Sequence, residues 1–428
     1  MLRLLIESLK GYKTHAELKL LFLEPIQFPL IGKRAGKSYW SNRSNLKSEE
    51  TISTVIEPFN EVPSPSLLLD VERLEVNITS MQRLCDAHGT ELWPHIKTHK
   101  IVEVARRQLA AGAAGLTCAK IGEAEALLPA FGETKKAGGQ SAVFIAHSIS
   151  DIEKAPRLRH LSESLDELIL ACTSEVHAPV LEGVLASEDL TVSIMMAVDT
   201  GLGREGARGV ESAKRLAQLI QRLPHMTLRG IYTHEGHLYN TPIPESNLAI
   251  AQVHHTLLET RDAICAACGI SDLKLWPGCS VSAARMATLP EISAVRPGAY
   301  VFGDVFLSEC VQVMAWEQLA LTVLATVVDI PAPDLALIDA GSKVFSSDRA
   351  PESIFARDFN GRDLQVTRVS EEHGFVTGSD IANLHIGQRL RFVPAHICPA
   401  INLADWVVPI EGETILDSWR VEARGCVQ

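Results

Sequence analysis

From about residue 64 the chain alternates two hydrophobic patterns: short β-rich apolar runs, and longer segments whose apolar residues recur at helical spacing. Strand candidates are Ser66–Leu69, Leu92–Ile96, Gly115–Cys118, Ala142–Ala146, Leu168–Ala171, Val192–Val198, Leu228–Thr233 and Leu273–Trp276. Helical stretches follow most of them, at Val71–His88, Ile101–Ala111, Glu123–Ala130, Val210–Leu223 and Asn247–Gly269. Such repeats predict an α/β fold built as a (β/α)8 TIM barrel, which needs about 250 residues. A doubly wound open sheet is the competing arrangement, but the first βα turn lacks a dinucleotide glycine fingerprint. After Tyr300 the rhythm turns to β-type runs at Leu319–Asp329, Leu335–Ile338, Arg389–Val393 and Trp406–Ile410, which predict a C-terminal β-rich domain. The last strand-like segment, Thr414–Ala423, has the pattern of one returning towards the chain start. The expected division is an N-terminal extension over 1–60, poorly ordered, a barrel over 61–305 and a β domain over 306–428.

Composition narrows the function classes. The net charge of −12 removes the cationic footprint that nucleic-acid binding requires. The first fifty residues, with nine Lys and Arg against five Asp and Glu, form a basic arm on an acidic body. No apolar run is long enough to span a membrane: Leu18 to Ile31 is broken by Lys19, Glu24, Pro25 and Pro29. Nine cysteines, sparse and odd in number, suit a reducing compartment, so a cytoplasmic protein is expected. The Cys265-Ala-Ala-Cys268 run lies late in a predicted helix and reads as helix packing rather than a redox motif.

Candidate chemistry gathers at strand ends, where barrels place catalytic groups. Trp93-Pro-His-Ile-Lys-Thr-His-Lys100 ends the second strand candidate, and strand parity puts His95 and Lys97 on one face. A lysine desolvated there has a depressed pKa and an amine competent for Schiff-base chemistry, although a solvated strand-end lysine has the same spacing. Tyr232 and His234 share a face at the end of the seventh candidate. Gly278-Cys-Ser280 offers backbone N–H groups to a phosphate at a turn that opens the helical Ser282–Met286. His396 and Cys398, two positions apart, share one side of an extended segment and can hold one cation, leaving coordination positions open. A thiolate favours zinc over harder cations.

In order along residues 62–425, these segments resemble the D-serine dehydratase and D-threonine aldolase family of fold-type III pyridoxal phosphate enzymes, which share the alanine racemase barrel. The matching runs include Pro63-Ser-Pro-Ser-Leu-Leu-Leu-Asp70, the Lys97 segment, Asp199-Thr-Gly-Leu-Gly-Arg204, Gly230-Ile-Tyr-Thr-His-Glu-Gly236 and Arg296-Pro-Gly-Ala-Tyr300. Asp339-Ala-Gly-Ser-Lys343, Glu371-Glu-His-Gly374 and Pro394-Ala-His-Ile-Cys-Pro399 follow in the C-terminal part. The resemblance implies that Lys97 forms the Schiff base with pyridoxal 5'-phosphate and removes the α-proton. It implies Arg204 beside the phenolic oxygen, Tyr232 and His234 along the pyridine ring, and Ser280, Gly298, Ala299 and Tyr300 around the phosphate. His396 and Cys398 are implied as metal ligands, for Zn2+ or alternatively Mn2+, with Glu372-His373 as helpers or a surface turn. Ser280-Val-Ser-Ala283 departs from the family's usual Ser-Thr-Pro-Thr-like run.

Racemases of this fold take an opposing tyrosine from the C-terminal domain, yet none of the five tyrosines lies beyond Tyr300. Family aldolases often carry Asp where this chain has Cys398. Together these departures imply a lyase on 3-hydroxy D-amino acids, with D-serine dehydration to pyruvate and ammonia as the leading expectation. D-threonine aldolase, 3-hydroxyaspartate aldolase or dehydratase, and a non-catalytic cofactor-binding protein are the alternatives. Family habit also implies a homodimer.

Overall fold

The computed structural model describes residues 59–241 and 243–428. The expectation for residues 1–60 therefore falls outside the described residues, apart from Phe59 and Asn60. Phe59 is buried against Val62, Leu68, Leu324 and Ile410.

Eight parallel strands form a TIM-barrel-like domain: β2 (Glu91–Leu92), β3 (Leu116–Cys118), β4 (Ala142–Ile145), β5 (Glu167–Cys172), β6 (Val192–Ala197), β7 (Met226–Tyr232), β8 (Lys274–Trp276) and β9 (Ala294–Val295). β3 to β8 are neighbours in chain order, and β2 pairs with β9. Backbone hydrogen bonds join the two pieces: Ala114 N–H to Leu92 O and Thr117 N–H to Pro94 O on one side, Ser293 N–H to Leu275 O on the other. Alternate positions point inward, and Trp93, Phe144, Ile169, Met195, Tyr232 and Trp276 fill the interior as a packed core. The helix Val71–His88 forms where its periodicity places it. Asp70 caps it by accepting the Arg73 N–H at 3.0 Å, and Gly89 ends it in the left-handed conformation, φ 69°.

Ser66–Leu69, expected as the first barrel strand, belongs instead to the C-terminal sheet. As β1 (Ser66–Asp70) it pairs antiparallel with β10 (Leu321–Ala332) and parallel with β16 (Trp406–Glu411). Leu67, Leu68 and Leu69 are buried, and an all-apolar run of this kind serves any strand covered on both faces, in a barrel or in a sheet. The eighth barrel strand is β9, which the sequence reading lacked. Leu92–Ile96 is also corrected: the strand stops at Leu92, Pro94 follows closely, and Ile96–Thr98 forms a 3₁₀ turn.

β11 (Leu335–Ile338), β12 (Ala356–Asp358), β13 (Gln365–Val369), β14 (Gly374–Thr377) and β15 (Arg389–Pro394) complete the C-terminal β domain. The order β11-β14-β13-β12-β15-β10, with β10 pairing back to β11, closes these six strands into an antiparallel barrel. After β16 the chain turns back to the first domain: Ala423 N–H bonds Lys100 O, and Gly122 N–H bonds Gln428 O. The Cys265–Cys268 segment ends the helix Ile243–Cys268, and both thiols are partly buried against the core. No helix among the described residues is long and apolar enough to cross a membrane.

Candidate active site

The C-terminal ends of the barrel strands and the turn after β15 enclose a cavity of about 660 Å³. Lys97, His234, Ser280, Gly298, Ala299, His396 and Cys398 line it. Arg204 and Tyr232 line an adjoining space of about 410 Å³, which shares His95, Lys97, His234 and Arg296 with the first. Tyr300 lines neither: its hydroxyl accepts from Gln108 Nε2 at 3.0 Å inside the core. Glu372 and His373 stand on the exposed β13–β14 turn, where Lys343 pairs with Glu372 at 2.5 Å.

Lys97 reaches the cavity by a route other than strand parity. His95 N–H bonds Pro297 O at 2.8 Å, anchoring the 3₁₀ turn against the end of β9. Gly298 permits that approach, since a Cβ there would lie 2.6 Å from Thr98 Oγ1 and 3.0 Å from His95 O. Among the described residues no carboxylate pairs with Lys97. Its charge, after burial, helps push His95 well below the ordinary histidine value and His234 down to about 3. His234 is therefore neutral; its Nδ1 lies 2.8 Å from the Gly278 carbonyl, so that nitrogen carries the proton and Nε2 accepts.

Arg296 floors the cavity, a cation that the sequence reading placed only within a motif. It is buried, donates to Thr233 O at 2.6 Å, and lies over the Phe144 and Tyr232 rings at 5.4 and 5.1 Å. Gly278 makes room for it, because a Cβ at that position would meet Arg296 Nη2 at 2.5 Å. Behind the Gly278 turn lies Glu235, fully buried, which accepts the Gly278 N–H at 3.0 Å and the Ser282 hydroxyl at 3.3 Å. Desolvation pushes its carboxyl up to about 7, against the lowering effect of those bonds and of Arg296. Within the Thr-His-Glu-Gly run, nothing periodic marks this carboxylate as buried.

His396 and Cys398 also meet by a different geometry than predicted. His396 is the extended residue before the helix Ile397–Leu403, and Cys398 lies in that helix's first turn. Asp304 fixes the corner by accepting the Ile397 N–H at 3.1 Å, and Asp348 Oδ2 lies 2.7 Å from His396 Nδ1. Burial disfavours charge on both groups, yet their mutual hydrogen bond and attraction prevail: His396 rises to about 9 and the Cys398 thiol falls below its ordinary value. Thr98 Oγ1, 3.3 Å from Cys398 Sγ, ties this pair to the lysine turn.

These residues fit the implied groups. The Tyr232 hydroxyl is buried without a protein partner at the wall of the adjoining space, and the glycine turns leave backbone exposed to a phosphate. A thiolate beside an imidazole, with the remaining positions open to the cavity, suits a soft or borderline divalent cation. Arg204 is the least committed member: its side chain is 55% exposed and pairs with Glu205 at 2.8 Å.

Residues 69–305 match the alanine racemase N-terminal domain and residues 320–410 the putative serine dehydratase domain. A D-threonine aldolase from Arthrobacter sp is 30% identical over 373 residues, covering 86% of this chain and 94% of the relative. The chain belongs to the D-serine dehydratase and D-threonine aldolase family. It is a pyridoxal phosphate-dependent lyase of fold type III. Within this family, the D-threo-3-hydroxyaspartate dehydratase of Delftia sp. is 30% identical over 357 residues, 78% of this chain and 90% of that one. Its structure superposes with a TM-score of 0.73 at 27% identity, covering 84% of this chain and 97% of that one. That enzyme has been solved with a histidine, and with a cysteine two positions further on, replaced by alanine, the latter in a metal-free form. A D-serine dehydratase from Dictyostelium discoideum is 23% identical over 394 residues, 84% of this chain and 97% of that one.

Proposed function

We propose that this family member eliminates water from a 3-hydroxy D-amino acid to give a 2-oxo acid and ammonia, with D-serine the simplest substrate. The observation that carries this reading is the meeting of Lys97 with the His396–Cys398 pair across one cavity. Pyridoxal phosphate, when bound, supplies the electron sink, and Zn2+ the Lewis acid that makes the 3-hydroxyl a better leaving group. Lys97 would hold the cofactor and is the base available to take the proton from Cα. Neutral His95 and His234 add no charge beside it. Cys279, Ser280, Gly298 and Ala299 offer N–H groups to the phosphate, and Arg204 offers a cation to the ring oxygen. His396 and Cys398 would hold the cation, and Asp348 orients His396.

Aldol cleavage is the second reading, favoured by neutral His95, which can accept the hydroxyl proton, and by the 30% identity to a D-threonine aldolase. The two part on products. Protein supplied with pyridoxal phosphate and Zn2+ is expected to release ammonia and 2-oxo acid from D-serine, and to lose that activity to a chelator. Glycine with an aldehyde would establish the aldolase instead. A homodimer and a reducing, cytoplasmic setting complete the proposal. The nine free thiols support the latter, and sedimentation tests the former.

A further inference from the structure

The strongest unexplained group in the cavity is Arg349. The loop Ser347–Arg349 forms one wall, beside His396, Cys398 and Phe306. Asp348, one residue earlier, ties this loop to His396 at 2.7 Å. The other cations at the cavity are committed: Lys97 to the cofactor in our reading, and Arg296 to the carbonyls of Thr233 and Trp276. Among the described residues, Arg349 has no hydrogen-bond or ion-pair partner, and its neighbour's carboxylate is taken by His396.

Arg349 is exposed, and a guanidinium without a protein partner at the lining of a ligand space matches a carboxylate. The position of this one distinguishes which carboxylate. His396 and Cys398 face the carbon that carries the 3-hydroxyl, so a guanidinium on their side of the cavity faces the other substituent of that same carbon. In D-serine this substituent is hydrogen; in D-threonine it is a methyl group. Neither offers an arginine a partner. A second carboxylate on C3, as in 3-hydroxy-D-aspartate, does.

We infer that Arg349 is a specificity-determining residue that grips the distal carboxylate of a dicarboxylic 3-hydroxy D-amino acid. This deepens the lyase reading above and rests on it for the orientation of the substrate. The grip acts on binding and on alignment of the 3-hydroxyl, and breaks no bond itself.

The test compares wild type, Arg349→Gln and Arg349→Lys as holoenzymes loaded with pyridoxal phosphate and Zn2+. Two readouts are taken: the ratio of kcat/KM for 3-hydroxy-D-aspartate over D-serine, and calorimetric binding of D-malate against D-lactate. D-malate carries a hydroxyl and two carboxylates but no amine, so its binding needs no turnover. We expect Arg349→Gln to lower the ratio and the D-malate affinity by about tenfold or more, with Arg349→Lys recovering part of both. Equal losses for both substrates and for both acids would assign Arg349 to the α-carboxylate and overturn the inference. So would unchanged ratio and affinity in variants that keep the wild-type melting temperature. If wild type turns over neither amino acid while D-malate binding still depends on Arg349, the lyase reading fails and the carboxylate site stands.

Discussion

His396 and Cys398, the ligands proposed for a cation, line one cavity, and each can be tested by itself. Cys398→Ala removes the softer ligand, so bound zinc, measured by atomic emission, is expected to fall below half an equivalent and turnover by about 100-fold or more. Cys398→Asp keeps two ligands but hardens the site, so metal competition is expected to shift towards Mn2+. Glu235 gives a pH signature. Burial raises its folded-state value from 4.5 to about 7, so its stabilising contribution is complete below about 4.5 and lost as pH rises through about 7. Between pH 5 and 8 wild type is expected to lose on the order of 1 to 3 kcal/mol relative to Glu235→Gln, read from melts of both proteins. The same deprotonation puts a negative charge behind the Gly278 turn, which opposes a phosphate there.

At the scale of elements, strand β1 joins the two domains. It runs between β10 and β16 in the C-terminal sheet, then leads at Asp70 directly into the first helix of the barrel domain. Leu68 is wholly buried at this junction, beside Phe59, Val62, Leu324 and Ile410. Leu68→Ala is expected to cost about 2–5 kcal/mol in urea unfolding. The misassigned strand and the misread lysine turn share one cause. Three consecutive leucines state that a strand is covered on both faces, without stating by which sheet, and Trp93-Pro94 can close a strand or continue it. Parity pairs His95 with Lys97, and His396 with Cys398, only where the chain runs as a strand. His95 and His396 are each the extended residue before a turn or helix whose first residues include Lys97 or Cys398, and the change of chain direction there brings each pair to one cavity.

Across the whole molecule, the last residues fasten the C-terminal chain to the barrel. The helix Val102–Ala111 lacks a side-chain cap from its own Ile101; Glu422, more than 300 positions away, accepts the Val102 N–H at 2.9 Å. Glu422→Ala is expected to lower stability by about 1 kcal/mol in thermal melts, and Glu422→Gln by less. Close by, Lys100 and Glu123 form a buried pair at 3.1 Å, and Lys100 also donates to the Ala423 carbonyl of the tail at 3.5 Å.

Sequence by itself determined the alternating βα rhythm, the β-rich second half and the residue types at strand ends, because apolar periodicity and ordered motifs are local properties of the chain. Lys97, His234, Gly298, His396 and Cys398 were all legible on that basis. Tertiary structure alone decided that β1 leaves the barrel for the C-terminal sheet, that β9 replaces it, and that Arg296 lies beneath the cavity. It also decided that Glu235 is buried behind the Gly278 turn and that Arg349 is among the residues lining the cavity. Charge and exposure depend on what distant segments supply, such as the Gly278 backbone to Glu235 and Glu422 to Val102, and no pattern within one segment records that.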